Sequence, residues 1–324
     1  MLISRRLWSA LALVLPLLHT SYAGAADWPE RPITMIIMSK EGGGMDRASR
    51  LLGEAMKERL GQPVKYVNRP GASGRAALDM FLDREADGYT VFSGNIPTLM
   101  MMHGQQAPGY AMDDKLTWLG AYLVDPALLI VHANSPHASL EAFVASAKEQ
   151  PVRIGVANWS SVQTLALLQL GDATGAEMEI IPYSGFKGAA TALLGNHIEG
   201  AVGNFSATQK LGDEVRYLGI FADQAPDGSA VEPVAKALDA DVINAASIRT
   251  LAVHADLAKS HPERFARLEE VFGDTISDPA FVDSFGTIGA DPSQAVTWST
   301  EEASEAAANI LSLFEAYQQA FKDE

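Results

Sequence analysis

Residues 33–46 read ITMIIMSKEGGGMD: six strand-forming residues run into a short polar turn, three consecutive glycines and an acidic residue that opens a helical pattern. That order places a tight loop at the carboxyl end of a strand. Gly42, Gly43 and Gly44 let the backbone approach a bound molecule closely, and a helix beginning at Met45 offers unpaired N–H groups and its positive dipole end to an anion. An ordinary strand-to-helix turn has the same spelling, so the loop alone leaves both readings open.

Working outward, strands alternate with helices. Leu51, Leu52, Ala55 and Met56 share one face of a helix over 47–59, followed by a strand at 64–67, a Pro/Gly loop at 68–74, a helix at 76–82 and a strand at 90–93. This βαβαβ order implies a parallel sheet with crossover helices. A very apolar strand at 128–132 precedes a second round: helices at 140–148, 162–173 and 189–194 alternate with strands at 153–156, 179–182 and 200–203. Two α/β units in succession imply a cleft between them. Ligands in such sheets sit at the carboxyl ends of strands, which selects the loops at 39–46, 94–98, 157–161, 183–187 and 203–206. They are rich in Gly, Ser, Asn and Thr, and Trp159, Tyr183 and Phe186 offer apolar walls or simple packing.

The start of the chain has the order of a secretory signal: Arg5 and Arg6, an apolar run over 7–18, then small residues over 21–26. The expected mature protein begins near Asp27, soluble and exported. With no cysteine in 324 residues, disulfides, thiol catalysis and lipid attachment through an N-terminal cysteine are excluded. A net charge of -16 argues against nucleic acid as a partner and against long-range collection of anions, leaving local dipoles and hydrogen bonds to hold any anionic ligand. The seven histidines have no metal-site spacing. No Gly-x-Ser-x-Gly elbow, P-loop lysine or dinucleotide fingerprint occurs, so neither an enzyme nor a cofactor is expected.

Four segments in order, WPERPITMII from Trp28, GGGMDRASRLL from Gly42, ERLGQPVKYVNRPGASG from Glu58 and ADGYTVFSGN from Ala86, resemble the solute receptors of tripartite tricarboxylate transporters, the TctC or Bug family. Residues 154–166 (IGVANWSSVQTLA) and 181–198 (IPYSGFKGAATALLGNHI) extend the resemblance, which weakens beyond Val215. It implies a type II periplasmic-binding-protein fold of two doubly wound α/β domains joined by two hinge crossings, near 128–132 and 248–253. Domain one would be 27–128 plus 249–324, domain two 129–248, and 1–26 the signal peptide. The helices over 300–321 would pack back on domain one.

The implied function is a periplasmic, monomeric solute-binding protein that closes on a small organic acid or an amino-acid-like ligand and delivers it to membrane permease subunits. Feeding a sensor system, or acting as a secreted α/β enzyme, are the alternatives. The residues expected to hold the ligand are Ser39, Lys40, Gly43, Gly44 and Asn95 from domain one, and Asn158, Trp159, Ser161, Ser184, Phe186 and Asn204 from domain two, with Trp159 and Phe186 setting its size. The sequence departs from the family where Met38, Ser39, Lys40 and Glu41 replace an apolar, proline-rich run, where Ser184 replaces a lysine and Thr164 a histidine, and where Gly203 and Asn204 replace an acidic residue. Lys40 either pairs with a carboxylate or points into solvent. Asp46 either shapes the pocket or caps its helix, and Ser161 either meets a carboxylate or serves as an N-cap.

Overall fold

In the computed structural model, which describes residues 28–225 and 231–322, the opening motif forms β1 (Ile33–Ile37) and α1 (Gly44–Leu60). The segment read as an export signal lies outside the described residues. Ile33, Met35, Ile36 and Ile37 are all buried, because helices cover both faces of this part of the sheet and the strand has no solvent side to make polar. Helix α1 ends at Gly61, whose left-handed φ of 67° lets its N–H return to the Lys57 carbonyl.

There follow β2 (Val64–Asn68), α2 (Arg75–Leu82), β3 (Thr90–Asn95), α3 (Ile96–Gln106) and the long β4 (Leu116–His132). The second round comprises α4 (Leu140–Glu149), β5 (Val152–Val156), α5 (Val162–Thr174), β6 (Met178–Pro182), α6 (Phe186–Leu194), β7 (Gly200–Asn204), α7 (Phe205–Thr208), β8 (Val215–Ile220) and α8 (Val234–Leu238). The chain returns through β9 (Ala246–His254) to α9 (Leu257–Ser260), α10 (Pro262–Ile276), α11 (Pro279–Asp283), β10 (Ala295–Trp298) and α12 (Thr300–Tyr317).

Strand order is β2-β1-β3-β9-β4-β7-β5-β6, with β8 and β10 also pairing β4. Strands β1, β2 and β3 pair parallel in one half, β5, β6 and β7 parallel in the other, and β4 belongs to both. Its first part runs antiparallel to β9 as far as Pro126 opposite Ala246, and its last part pairs β7 from Ala127 opposite Asn204. The run expected as a strand at 128–132 is thus the tail of a 17-residue strand. Gly120, Asp125 and Pro126 interrupt the apolar pattern and read as breakers, but each has a place in the strand. Gly120 has φ 139° at a register shift where a Cβ would stand 2.0 Å from the Trp298 carbonyl oxygen, and Pro126 sits where β4 passes from one half-sheet to the other.

Three buried clusters fill the layers. One lies between α1, α10 and the first half-sheet, and one under α6 and β8 in the second. The third runs under both halves, joining Leu99 and Met102 of α3, Leu167 of α5 and Ile310 and Phe314 of α12. The last helix therefore shares a core with a helix from each lobe.

Candidate functional site

A cleft of about 500 Å³ opens between the lobes at the carboxyl ends of β3, β5 and β7. Ser73, Asn95, Pro97 and Thr98 form one wall; residues 157–163 and Asn204 form the other; Ala246 and Ser247 of β9 lie between them. None of the described side chains that line it is ionisable.

On the first wall, Asn95 closes the end of β3 and caps α3. Its Oδ1 accepts from the Thr98 N–H at 3.4 Å and from the Thr98 hydroxyl at 3.3 Å, and its Nδ2 donates to Ser247 Oγ at 2.5 Å. The cap holds the first turn of α3 open toward the cleft, and Pro97 fits there because an N–H at that position has no intrahelical partner. Ser73 arrives from the Pro/Gly loop in a left-handed turn with φ 51°.

On the second wall, Ser161 caps α5. Its Oγ accepts from the Thr164 N–H at 3.3 Å and lies 3.1 Å from Thr164 Oγ1, and the residue is only 9% exposed. Asn158 is exposed at the cleft, and Trp159 donates its indole N–H to the Ala320 carbonyl at 3.2 Å. Asn204 uses both ends of its amide: Gln163 Nε2 donates to its Oδ1 at 3.1 Å, and its Nδ2 donates to the Asp125 carbonyl at 2.6 Å.

Asn95, Asn158, Trp159, Ser161 and Asn204 are brought together here, and the other six expected residues fall outside the lining. Lys40 is exposed, and its carbonyl accepts from Gly43 N–H at 3.3 Å. The Ser39 carbonyl accepts from Asn68 Nδ2 at 3.0 Å, while its buried hydroxyl has no partner among the described residues. The Gly44 carbonyl accepts from Arg249 at 3.1 Å. Ser184 is exposed on the loop after β6, and the Phe186 ring covers Gly203 so closely that a Cβ there would stand 2.1 Å from it. Ser73, Gln163 and Ser247 line the cleft without having been singled out. Gln163 lies two residues beyond Ser161 and was within reach of the same motif; Ser73 sits in the Pro/Gly loop after the strand at 64–67, which the rule of strand carboxyl ends also reaches, while Ser247 carried no signal, since only the folded chain brings the start of β9 to this cleft.

Asp46 is 2% exposed and pins the glycine loop instead of capping α1. It accepts from the Gly42 N–H at 2.9 Å, from Asn68 Nδ2 at 2.8 Å and from Arg50 Nε at 2.9 Å. Burial alone would raise this carboxyl, but the bonds from Asn68, Gly42 and Arg50 outweigh it and hold the group below the usual carboxylate range. Asp125, also 2% exposed, sits at the crossing and accepts from the Ser206 N–H at 3.1 Å and from the Ser206 hydroxyl. Here burial prevails over the Ser206 bonds and the Arg249 guanidinium, and the carboxyl is raised. Among the described residues no group of three His, Asp or Glu side chains is placed to hold a metal ion.

The chemistry of this cleft is that of neutral hydrogen bonding backed by helix ends. α3 and α5, of 11 and 13 residues, begin on opposite walls and direct their positive dipole ends into it. Two α/β halves joined by crossing strands, with a polar cleft at the carboxyl ends of both sets, define a two-domain binding-protein fold of type II. The chain belongs to the TctC family, described as the tripartite tricarboxylate transporter family receptor, whose profile matches residues 48–306.

Among its relatives are BugT of Bordetella pertussis, 31% identical over 187 residues (56% of this chain, 57% of that one), and a UPF0065 protein from the gbd 5' region of Cupriavidus necator, 31% identical over 180 residues (54% of each). The chain thus spans about half the length of these curated relatives. Among solved structures, a ligand-free TctC solute-binding protein from Polaromonas superposes with a TM-score of 0.76 at 24% identity, covering 89% of this chain and 99% of that one. MatC of Rhodopseudomonas palustris, solved with bound malate, gives a TM-score of 0.68 at 19% identity, covering 89% and 99%. A second R. palustris protein, solved with adipate, gives 0.67 at 22%, covering 90% and 97%. At these identities the likeness is one of fold.

Proposed function

We propose that this protein is a periplasmic receptor that captures a small organic carboxylate between its two lobes and presents it to a membrane permease. The observation that carries the reading is the arrangement of the cleft: an uncharged, hydrogen-bonding lining onto which α3 and α5 point their N-termini from opposite sides. A carboxylate there meets the free first-turn amides of α5 and the dipole end of α3, and the anion binds better to the closed form than to the open one because only closure brings both ends to it. Asn95 on one wall and Asn158, Ser161 and Asn204 on the other provide or position the donors. Domain one is taken as 28–126 plus 246–322, with boundaries two or three residues from those at 128 and 249, because β4 passes from pairing β9 to pairing β7 between Pro126 and Ala127 and β9 starts at Ala246. Among the described residues no helix is long and apolar enough to cross a membrane, which suits a receptor that meets its permease from outside the bilayer.

The test is thermal unfolding of protein stripped by unfolding and refolding, with malate, adipate, aspartate and glucose in turn. An acid at a hundred times its dissociation constant stabilises by about 2.7 kcal/mol and raises the midpoint by several degrees. A shift with an acid and none with glucose is expected; a shift with glucose alone, or with none of the four, counts against a carboxylate receptor.

A further inference from the structure

The last turn of the chain meets the ligand cleft from behind. Helix α12 starts in the first lobe, where β10 pairs with the first part of β4 and Ser299 and Glu302 form a reciprocal cap. It lies tight against α3: a Cβ on Gly104 would stand 2.4 Å from the Phe314 ring. By its far end it has reached the second lobe. The Tyr317 hydroxyl donates to Asp172 of α5 at 2.7 Å, and the Trp159 indole N–H donates to the Ala320 carbonyl at 3.2 Å. The Phe321 ring packs at 6.0 Å from the Trp159 ring and 5.3 Å from Phe314. Beside this contact Gln105, near the end of α3, donates to Ser160 at 2.6 Å, a further bond from the first lobe to the second.

Trp159 therefore has two attachments: it lines the cleft, and it is held by the 3-10 turn Gln318–Phe321. A half-buried indole is oriented by the acceptor its N–H finds and by the rings it packs on, and both come here from the end of the other lobe's helix. We propose that this turn is part of the ligand site, with Ala320 and Phe321 as positioning residues that fix the Trp159 wall and tie the second lobe to the first. The proposal deepens the receptor reading and rests on it for the ligand class. Its consequence is that release of the ligand requires the Trp159 contact to part.

Because the chain has no cysteine, Arg69→Cys with Lys187→Cys places the only two labelling points, both exposed, one just after β2 in the first lobe and one in the first turn of α6 in the second. Spin-label distances between the two lobes are measured without ligand and with malate or adipate, alongside melting temperatures. In ligand-free protein, Phe321→Ala, and a chain ending at Tyr317, are expected to broaden the distribution toward longer distances. Trp159→Phe, which keeps an aromatic ring but removes the indole N–H together with part of the ring surface, is expected to give an intermediate result. With a bound acid, Phe321→Ala is expected to speed release about fivefold with little change in association. Distributions for Phe321→Ala and the shortened chain that superimpose on the parent's would overturn the proposal, as would a lower melting temperature with unchanged distances, which marks a merely structural turn. If neither acid changes the parent's distances or melting, the receptor reading fails separately, and the ligand-free distances still decide the tie. Should the shortened chain not fold, Phe321→Ala carries the test.

Discussion

Ser161 holds two positions at once, as the cap of α5 and as a side chain in the cleft wall. Ser161→Ala is expected to destabilise the protein by about 1 kcal/mol through loss of the cap. It should also weaken acid binding by about tenfold, read by calorimetry, because the first amides of α5 lose their fixed direction. Lys40 stands apart from the lining and exposed, so Lys40→Ala is expected to change affinity by less than about twofold, since exposed charges are strongly screened. A tenfold loss would move its ammonium to the ligand. Asn95, Asn158, Ser161 and Asn204 were legible as small polar residues at or just past strand ends, and Ser73 was within reach of the same rule. Ser247 was not, because which other segments fold over those ends is settled by packing that no local pattern encodes.

At the scale of elements, the β1–α1 loop depends on a single carboxylate that gathers three donors. Asp46 is held below its ordinary range, so its contribution to stability is present above the unfolded value and is lost as pH falls through the folded one. Asp46→Asn, with one acceptor oxygen where three donors converge, is expected to cost about 1–3 kcal/mol at neutral pH. It should also flatten the loss of stability between about pH 5 and pH 2, checked by urea unfolding across that range. In β4, Gly120→Ala forces a Cβ against the Trp298 carbonyl at a φ of 139° and is expected to cost more than about 1 kcal/mol by displacing β10, as seen in the melting temperature. α1, with its apolar stripe and its Gly61 terminator, and α5, with its Ser161 cap and apolar run, were readable in the sequence. The length of β4 was not, since Gly120 and Pro126 carry the signature of turns and are tolerated only because β10 and β9 meet them at a bulge and at a crossing.

For the whole molecule, a net charge of -16 sets a repulsive field around an uncharged cleft. An anionic acid feels repulsion from afar and attraction only within reach of α3 and α5. Raising ionic strength from about 0.02 to about 0.2 M is therefore expected to speed its association, in stopped-flow, by screening the distant charge while leaving the short-range bonds intact. Association that slows with salt would point to a cationic attractor in the cleft. The sequence by itself determined the alternation of strands and helices, the family, and the glycine- and serine-rich loops at strand ends, because these rest on local periodicity and turn chemistry. Only the tertiary structure decided which of those loops face one another, that β4 serves both half-sheets, that Lys40 stands outside the lining, and that the turn after α12 reaches Trp159. Such pairings join residues as far apart as 159 and 320, and they follow from how the layers pack around shared cores, which no stretch of sequence contains by itself.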